Sequence, residues 1–364
     1  MKKLCLTLAT VASVIGALTP APGSTLFFGG YPDKIVTFDE STGTTTERIK
    51  LNTGLPISLR LSNDKKRLYI TTLTTGGIEV MDVATKKLIS SFSLNDGNTR
   101  YRFTGGVPDA TGRYFYTVAA KMEKGVDRWK VGKPQYIVVD LQQKKIVRSA
   151  DLAPEDDLPN YNRGYMTLSE DGKSFYLFRD KITVVDTGTL KAVQHFDLAK
   201  PETAGMESVN FGGGVQTQQS PREFVSLFNA ADPIVHNKVF GVARLNLASR
   251  ELTFTPIGPA PAGMLGLEIS PDGKEGYTIV ANGTLGNKRC EFWRFDLTSN
   301  KVVAKAEFEC RSRLASFGMS GDGQKLYIYG ATFDIEVYDA KTLKKEKTWD
   351  VGNDQTMAGM VISQ

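Results

Sequence analysis

The sequence predicts an all-β chain: a seven-bladed β-propeller of four-stranded antiparallel sheets, the ring closed by the C-terminal strand joining the N-terminal blade. Three observations predict it. A single phrase recurs, as "SNDKKRLYITTLTTGGIEVMDVATKKLISSFSL" (residues 62–94), "SEDGKSFYLFRDKITVVDTGTLKAVQHFDL" (169–198) and "SGDGQKLYIYGATFDIEVYDAKTLKKEKTWDVG" (320–352). Its strands, "KIVTFD", "YIVVDL" and "IEVYDA", alternate with period two, the pattern of a pleated strand with a core face. The two chain ends are complementary fragments of one unit, which a pair of β-sandwich domains would leave unexplained.

Residues 1–23 read as a secretory signal peptide. Lys2 and Lys3 precede an apolar run over residues 4–18, and the small residues of "TPAPGS" place cleavage near Gly23–Ser24. The run is too short for a membrane span. This predicts a periplasmic or secreted protein with residues 24–364 as its propeller domain. "TLFFGG", "KIVTFDES" and "TTTERIKL" then supply three strands with no first strand. Complete units begin near Ile57, Phe103, Gly164, Met206, Met264 and Leu314, and "MAGMVIS" (357–363) supplies the missing strand. In the repeated unit a short first strand leads into a turn of the S-x-D-G type, where Asp and Gly suit the backbone.

Two cysteines remain after the signal, Cys290 and Cys310, flanking the hairpin "CEFWRFDLTSNKVVAKAEFEC". With its turn near Ser299–Asn300 the two lie almost opposite each other, and an even count in an exported chain predicts a disulfide. The alternative is two free buried thiols.

Units differ at the joint between second and third strands. Insertions occupy it at residues 119–135, 229–238 and 281–289. Insertions at one offset of a repeat fall on one face, which also carries the links "NTRYR", "PNYNR", "GME" and "CRSR" into each first strand. Tyr101, Arg102, Trp129, Tyr161, Arg163, Arg311 and Arg313 are the candidate partner or ligand contacts, since Arg and aromatic side chains dominate interfaces. The bland reading is loop drift. "FGGGVQTQQSPREF" (211–224) lies at a first-to-second-strand turn on the opposite face; it has no G-K-S/T, so it is not a P-loop.

Much chemistry is missing from the sequence. The formal net charge is +5, two units of it from Lys2 and Lys3, and no block of like charge occurs, so nucleic-acid binding has little support. The only histidines, His195 and His236, are too far apart in sequence to suggest a zinc or copper site, and no metal site is expected. No C-x-x-C-H haem motif or G-x-S-x-G elbow is present. No catalytic residue is assigned; Glu207 and Glu268 are the carboxylates near first strands that a lactonase-type propeller would need. Asp39, Asp82, Asp140, Asp186, Asp296 and Asp339, with Asn246 in the same slot, recur once per unit and therefore mark turns.

"YPDKIVTFD" (31–39), "ATGRYFYTVAAK" with "WKVGKPQYIVVD" (110–140), and "DGQKLYIYGATFDIEVYDAKTLKKEKTWDVGNDQTMAGM" (322–360) resemble the β chain of bacterial quinohemoprotein amine dehydrogenase, within the wider YVTN-type propellers. The resemblance runs along almost the whole mature chain, although the Cys290–Cys310 pair departs from it. It implies a noncatalytic periplasmic propeller with no cofactor of its own. Tryptophylquinone and haem c would reside on partner chains, one quinone-bearing and one dihaem, and this chain would help wall the amine pocket. The alternative is a stand-alone YVTN-type propeller binding a cell-envelope partner or small ligand.

Overall fold

The computed structural model describes residues 24–157, 165–201, 203, 205–211, 220–231, 234, 237–310 and 315–363. The expected signal peptide lies outside them. Strands β1 (Thr25–Gly30), β2 (Lys34–Asp39) and β3 (Thr44–Lys50) open the chain. The second blade is β4 (Pro56–Leu61), β5 (Arg67–Thr72), β6 (Gly77–Asp82) and β7 (Lys87–Ser93). The third is β8 (Thr99–Arg102), β9 (Val107–Pro108), β10 (Tyr114–Lys124), β11 (Trp129–Asp140) and β12 (Lys145–Asp151). The fourth is β13 (Tyr165–Leu168), β14 (Ser174–Phe178), β15 (Lys181–Asp186) and β16 (Ala192–Asp197). The fifth is β17 (Glu207–Phe211), β18 (Glu223–Ala231), β19 (Lys238–Asn246) and β20 (Leu252–Pro259). The sixth is β21 (Gly263–Met264), β22 (Glu268–Ile269), β23 (Glu275–Asn282), β24 (Arg289–Asp296) and β25 (Lys301–Phe308). The seventh is β26 (Ala315–Met319), β27 (Lys325–Gly330), β28 (Asp334–Asp339) and β29 (Lys345–Asp350), and β30 (Gln355–Ser363) ends the chain.

These strands make seven antiparallel sheets, and the order β3-β2-β1-β30 puts both chain ends in one blade. The register pairs Thr25 with Ser363, Leu26 with Ile362, Phe27 with Val361 and Phe28 with Met360. The closure read from the sequence therefore holds.

The core lies between blades. Seven apolar clusters each join two neighbouring blades, and together they run round the ring. Period-two alternation explains this. Leu26 and Phe28 turn toward the seventh blade, whereas Phe27 turns toward the second. Inner strands bury both faces and read as near-continuous apolar runs, as in "TLFFGG". Outer strands bury only one face, as in the alternating pattern of β25.

The repeated turns work as local hydrogen-bonded units. Ser62, Ser169, Ser270 and Ser320 each donate to the Asp two residues on, at 2.6–2.7 Å. Gly172, Gly273 and Gly323 follow with positive φ; Lys65 takes the same conformation at φ 57° without glycine's freedom. Aspartates ending the third strands accept backbone N–H groups: Asp82 from Thr85 at 2.8 Å, Asp186 from Thr189 at 2.7 Å, and Asp296 from Thr298 at 2.8 Å. Asn246 does the same for Ala248 and Ser249, both at 2.9 Å. Their turn role is thus direct.

Two blades depart from the plain four-strand unit. In the third and sixth, the innermost strand is split into two short pieces, β8 with β9 and β21 with β22. In the fourth-to-second gap, Arg60 reaches past the shortened β9 and donates to the Met166 carbonyl at 2.6 Å. Cys290 and Cys310 form the expected disulfide, Cα to Cα 5.2 Å. It ties the end of β25, where Cys290 pairs with Phe308, to its neighbour β24.

Candidate functional site

The insertion over residues 119–135 is not a loop. It continues β10 and β11 as a ladder, with pairs Met122↔Val131, Glu123↔Lys130 and Lys124↔Trp129, beyond a bulge between Ala120 and Met122. β10 has 11 residues against 6 in β5. At ~3.4 Å per residue the extension is about 17 Å long. The segment read from sequence as the link "NTRYR" is also a strand: β8 pairs on the other side of β10, Arg102 with Ala120, Tyr101 with Lys121 and Arg100 with Met122. Long chains of Lys, Met and Glu carry no strand signal; pairing partners on both sides imposed one. The result is a three-stranded arm rising from the third blade.

Cross-strand partners share a face, and alternate residues change face. One face of the arm therefore carries Arg100, Arg102, Met122, Lys124, Trp129 and Val131 and has no carboxylate. Arg100 lies over the Trp129 ring, 4.5 Å from its centroid. Arg102 and Lys124 are exposed and Val131 is 63% exposed. The other face carries Thr99, Tyr101, Lys121, Glu123 and Lys130. There Lys121 pairs with Glu123 at 2.7 Å, and Tyr101 packs half-buried against the apolar cluster between the second and third blades.

The structure thus separates the candidates that sequence grouped. Arg102 and Trp129 share the carboxylate-free face; Tyr101 anchors the arm instead. Tyr161, Arg163, Arg311 and Arg313 lie outside the described residues, as does His236. Sequence reasoning missed Arg100, Met122, Lys124 and Val131. Their signal was the pairing register of a hairpin, which the insertion does not announce.

The outer edge of β8 is already occupied. Tyr101 N donates to Asn95 Oδ1 at 2.7 Å, Thr99 N to Asp96 Oδ1 at 2.7 Å, and Asp96 N to the Thr99 carbonyl at 2.9 Å. The arm ends in a turn where Val126 is fully exposed and Asp127 pairs with Arg128 at 2.6 Å.

A titratable cluster stands near the foot of the next link. Asp156, in a short 3-10 turn over Pro154–Asp156, is fully buried. It meets Lys181 Nζ at 3.1 Å, Thr183 Oγ1 at 3.0 Å and His195 Nε2 at 3.0 Å. Burial pushes its carboxyl up, but hydrogen bonds from His195 and Lys181 outweigh that and hold it below the ordinary range. Because the three partners sit on β15 and β16, the cluster pins the link between third and fourth blades. His195 accordingly serves the fold. Glu207 is exposed on β17, whereas Glu268 is 3% exposed on β22.

Between the sixth and seventh blades an open cleft of about 800 Å³ runs beside the disulfide, lined by Phe308, Cys310, Glu336, Tyr338 and Lys345 among others. Small Ala306 stands opposite Phe292 here; the equivalent outer-strand positions hold Phe92, Phe196 and Trp349 in other blades. Among the described residues no three His, Cys, Asp or Glu side chains come together as a metal ion would need. No helix among them is long and apolar enough to cross a membrane.

The sequence matches no protein-family model and no curated protein. Solved structures share its fold. PpgL, a periplasmic gluconolactonase of Pseudomonas aeruginosa, superposes with a TM-score of 0.54 at 14% identity, covering 94% of this chain and 99% of that one. Apo AztD from Citrobacter koseri gives 0.51 at 13% identity over 94% and 98%. A functionally unknown protein from Desulfotomaculum acetoxidans gives 0.55 at 13% identity over 94% and 99%. At such identities the likeness is one of fold alone.

Proposed function

We propose that this chain is an exported, noncatalytic β-propeller subunit that docks a partner protein through the arm of its third blade. The observation that carries the reading is the exposed Arg100–Trp129 face, where cations surround apolar side chains and nothing within the arm neutralises them. A ladder-built arm on a rigid ring keeps such side chains in fixed positions, so little ordering cost falls on binding. Export is supported by the disulfide, which persists in oxidising compartments, and by fold likeness to a periplasmic protein. The resemblance of the sequence to the β chain of quinohemoprotein amine dehydrogenase narrows the proposed partners to a quinone-bearing chain and a dihaem chain, which would carry the cofactors and the oxidation.

Co-expression with the genes that flank this one tests the reading. A partner chain carrying a quinone or haem c should co-purify, with its visible absorption spectrum as the readout. If the flanking chains are expressed, folded and loaded yet never associate, the amine dehydrogenase reading fails.

The second reading is a stand-alone propeller that binds a small ligand, and the cleft beside the disulfide favours it. Its mark would be a low-molecular-weight compound released on denaturing protein purified from its own host.

A further inference from the structure

Resting on the docking reading above, we infer that the partner meets the arm with a carboxylate-rich protein surface around an apolar centre. The charges come first. Residues 99–102 and 119–135 hold seven basic side chains and two acidic ones, an excess as large as the formal net charge of +5 for the whole chain. Both acids are matched inside the arm, Glu123 by Lys121 and Asp127 by Arg128. Five cations are left over, and three of them, Arg100, Arg102 and Lys124, share the face with Met122, Trp129 and Val131. Arginine and tryptophan beside exposed aliphatic side chains are the composition of an interface centre.

The kind of contact is narrowed by geometry. Strand addition at the β8 edge is closed off, because residues 95–96 already bond both outward backbone groups of Thr99 and the N–H of Tyr101. Along that edge binding runs through side chains. The Arg100 guanidinium lies over the Trp129 ring, and a guanidinium suits a carboxylate in bidentate geometry. The same contact covers one face of Trp129, the ring on this side of the arm that a nucleic-acid base would stack on. A lipid surface would reach mainly the tip, where Asp127 stands beside Val126. The cations instead lie along the length of the arm, as a protein partner laid against it would require.

The test uses the full chain in its own host. A photo-crosslinking phenylalanine derivative at Val131 traps whatever lies against the face; the trapped protein is identified, purified and titrated against the wild type and the double variant R102E/K124E. All three side chains are exposed, so the melting temperature of R102E/K124E should match wild type. Affinity should fall roughly tenfold or more between about 50 and 500 mM salt, and by a similar factor in R102E/K124E, while K173E on the opposite face binds normally. A trapped partner insensitive to both salt and R102E/K124E overturns the carboxylate assignment but leaves docking intact. No protein trapped at Val131 overturns both. So does sedimentation with vesicles of phosphatidylcholine and phosphatidylglycerol, lost in R102E/K124E, with no protein trapped: the arm is then a membrane contact.

Discussion

Asp296 ends the third strand of its blade and accepts from the hydroxyl and backbone N–H of Thr298, at 2.6 and 2.8 Å, and from Ser299. These bonds, the Thr298 hydroxyl first, pull its pKa down to about 2. Asp39, Asp82, Asp186 and Asp339 are lowered in the same way by Ser41, Thr85, Thr189 and Thr342. A carboxyl depressed by folding contributes stability above its unfolded value near 3.8, and that contribution is lost as pH falls through the folded value. The fold should therefore weaken between about pH 4 and pH 2. Asn246 shows that an amide can serve the same slot without a charge. D296N should melt about 1–2 °C below wild type at pH 7, and the gap should close as pH approaches 2. Melting curves from pH 7 to 2 check this; a gap that stays constant across that range would show that the charge of Asp296 contributes nothing.

Within single strands, spacing between neighbours sets tolerance. Gly241 on β19 sits at a register shift against β20. A Cβ there would lie 2.0 Å from the Thr255 carbonyl oxygen and 2.8 Å from a Phe228 ring carbon. The first of these is backbone, which cannot rotate away. G241A should cost about 2–3 kcal/mol, read as a lower urea midpoint with an unchanged slope. A midpoint like that of wild type would mean the two strands can part freely. The arm makes the complementary point about elements. Its residues have modest strand propensity, yet β8 and β11 on either side of β10 hold them extended. Which side chains it offers depends on register, and one residue of slip would exchange Arg100 and Trp129 for Tyr101 and Lys130.

The whole ring depends on β30. Ala358, Met360, Val361 and Ile362 are each at most 5% exposed and fill the clusters on both flanks of the first blade. Losing them forfeits about 6–10 kcal/mol of apolar burial, comparable to the whole stability of a typical domain. It also uncovers β1 as an apolar edge. A chain ending after Asp354 should yield no folded monomer by size exclusion and circular dichroism; a cooperative melt from such a chain would refute the closure.

By itself the sequence determined the blade count, the shared blade at the chain ends, the Asp turns and the Cys290–Cys310 bond. Each is a local or periodic feature: the repeat phrase fixes where strands stop, alternation marks strands with one core face, and near-continuous apolar runs mark strands buried on both. Only the tertiary structure decided that residues 119–135 stand up as an arm, that Arg100, Lys124 and Val131 join Arg102 and Trp129 on one face, and that Tyr101 turns inward. Those outcomes follow from strand pairing, within the β10–β11 hairpin and between β10 and the more distant β8, and pairing register is a property of two strands together that neither carries alone.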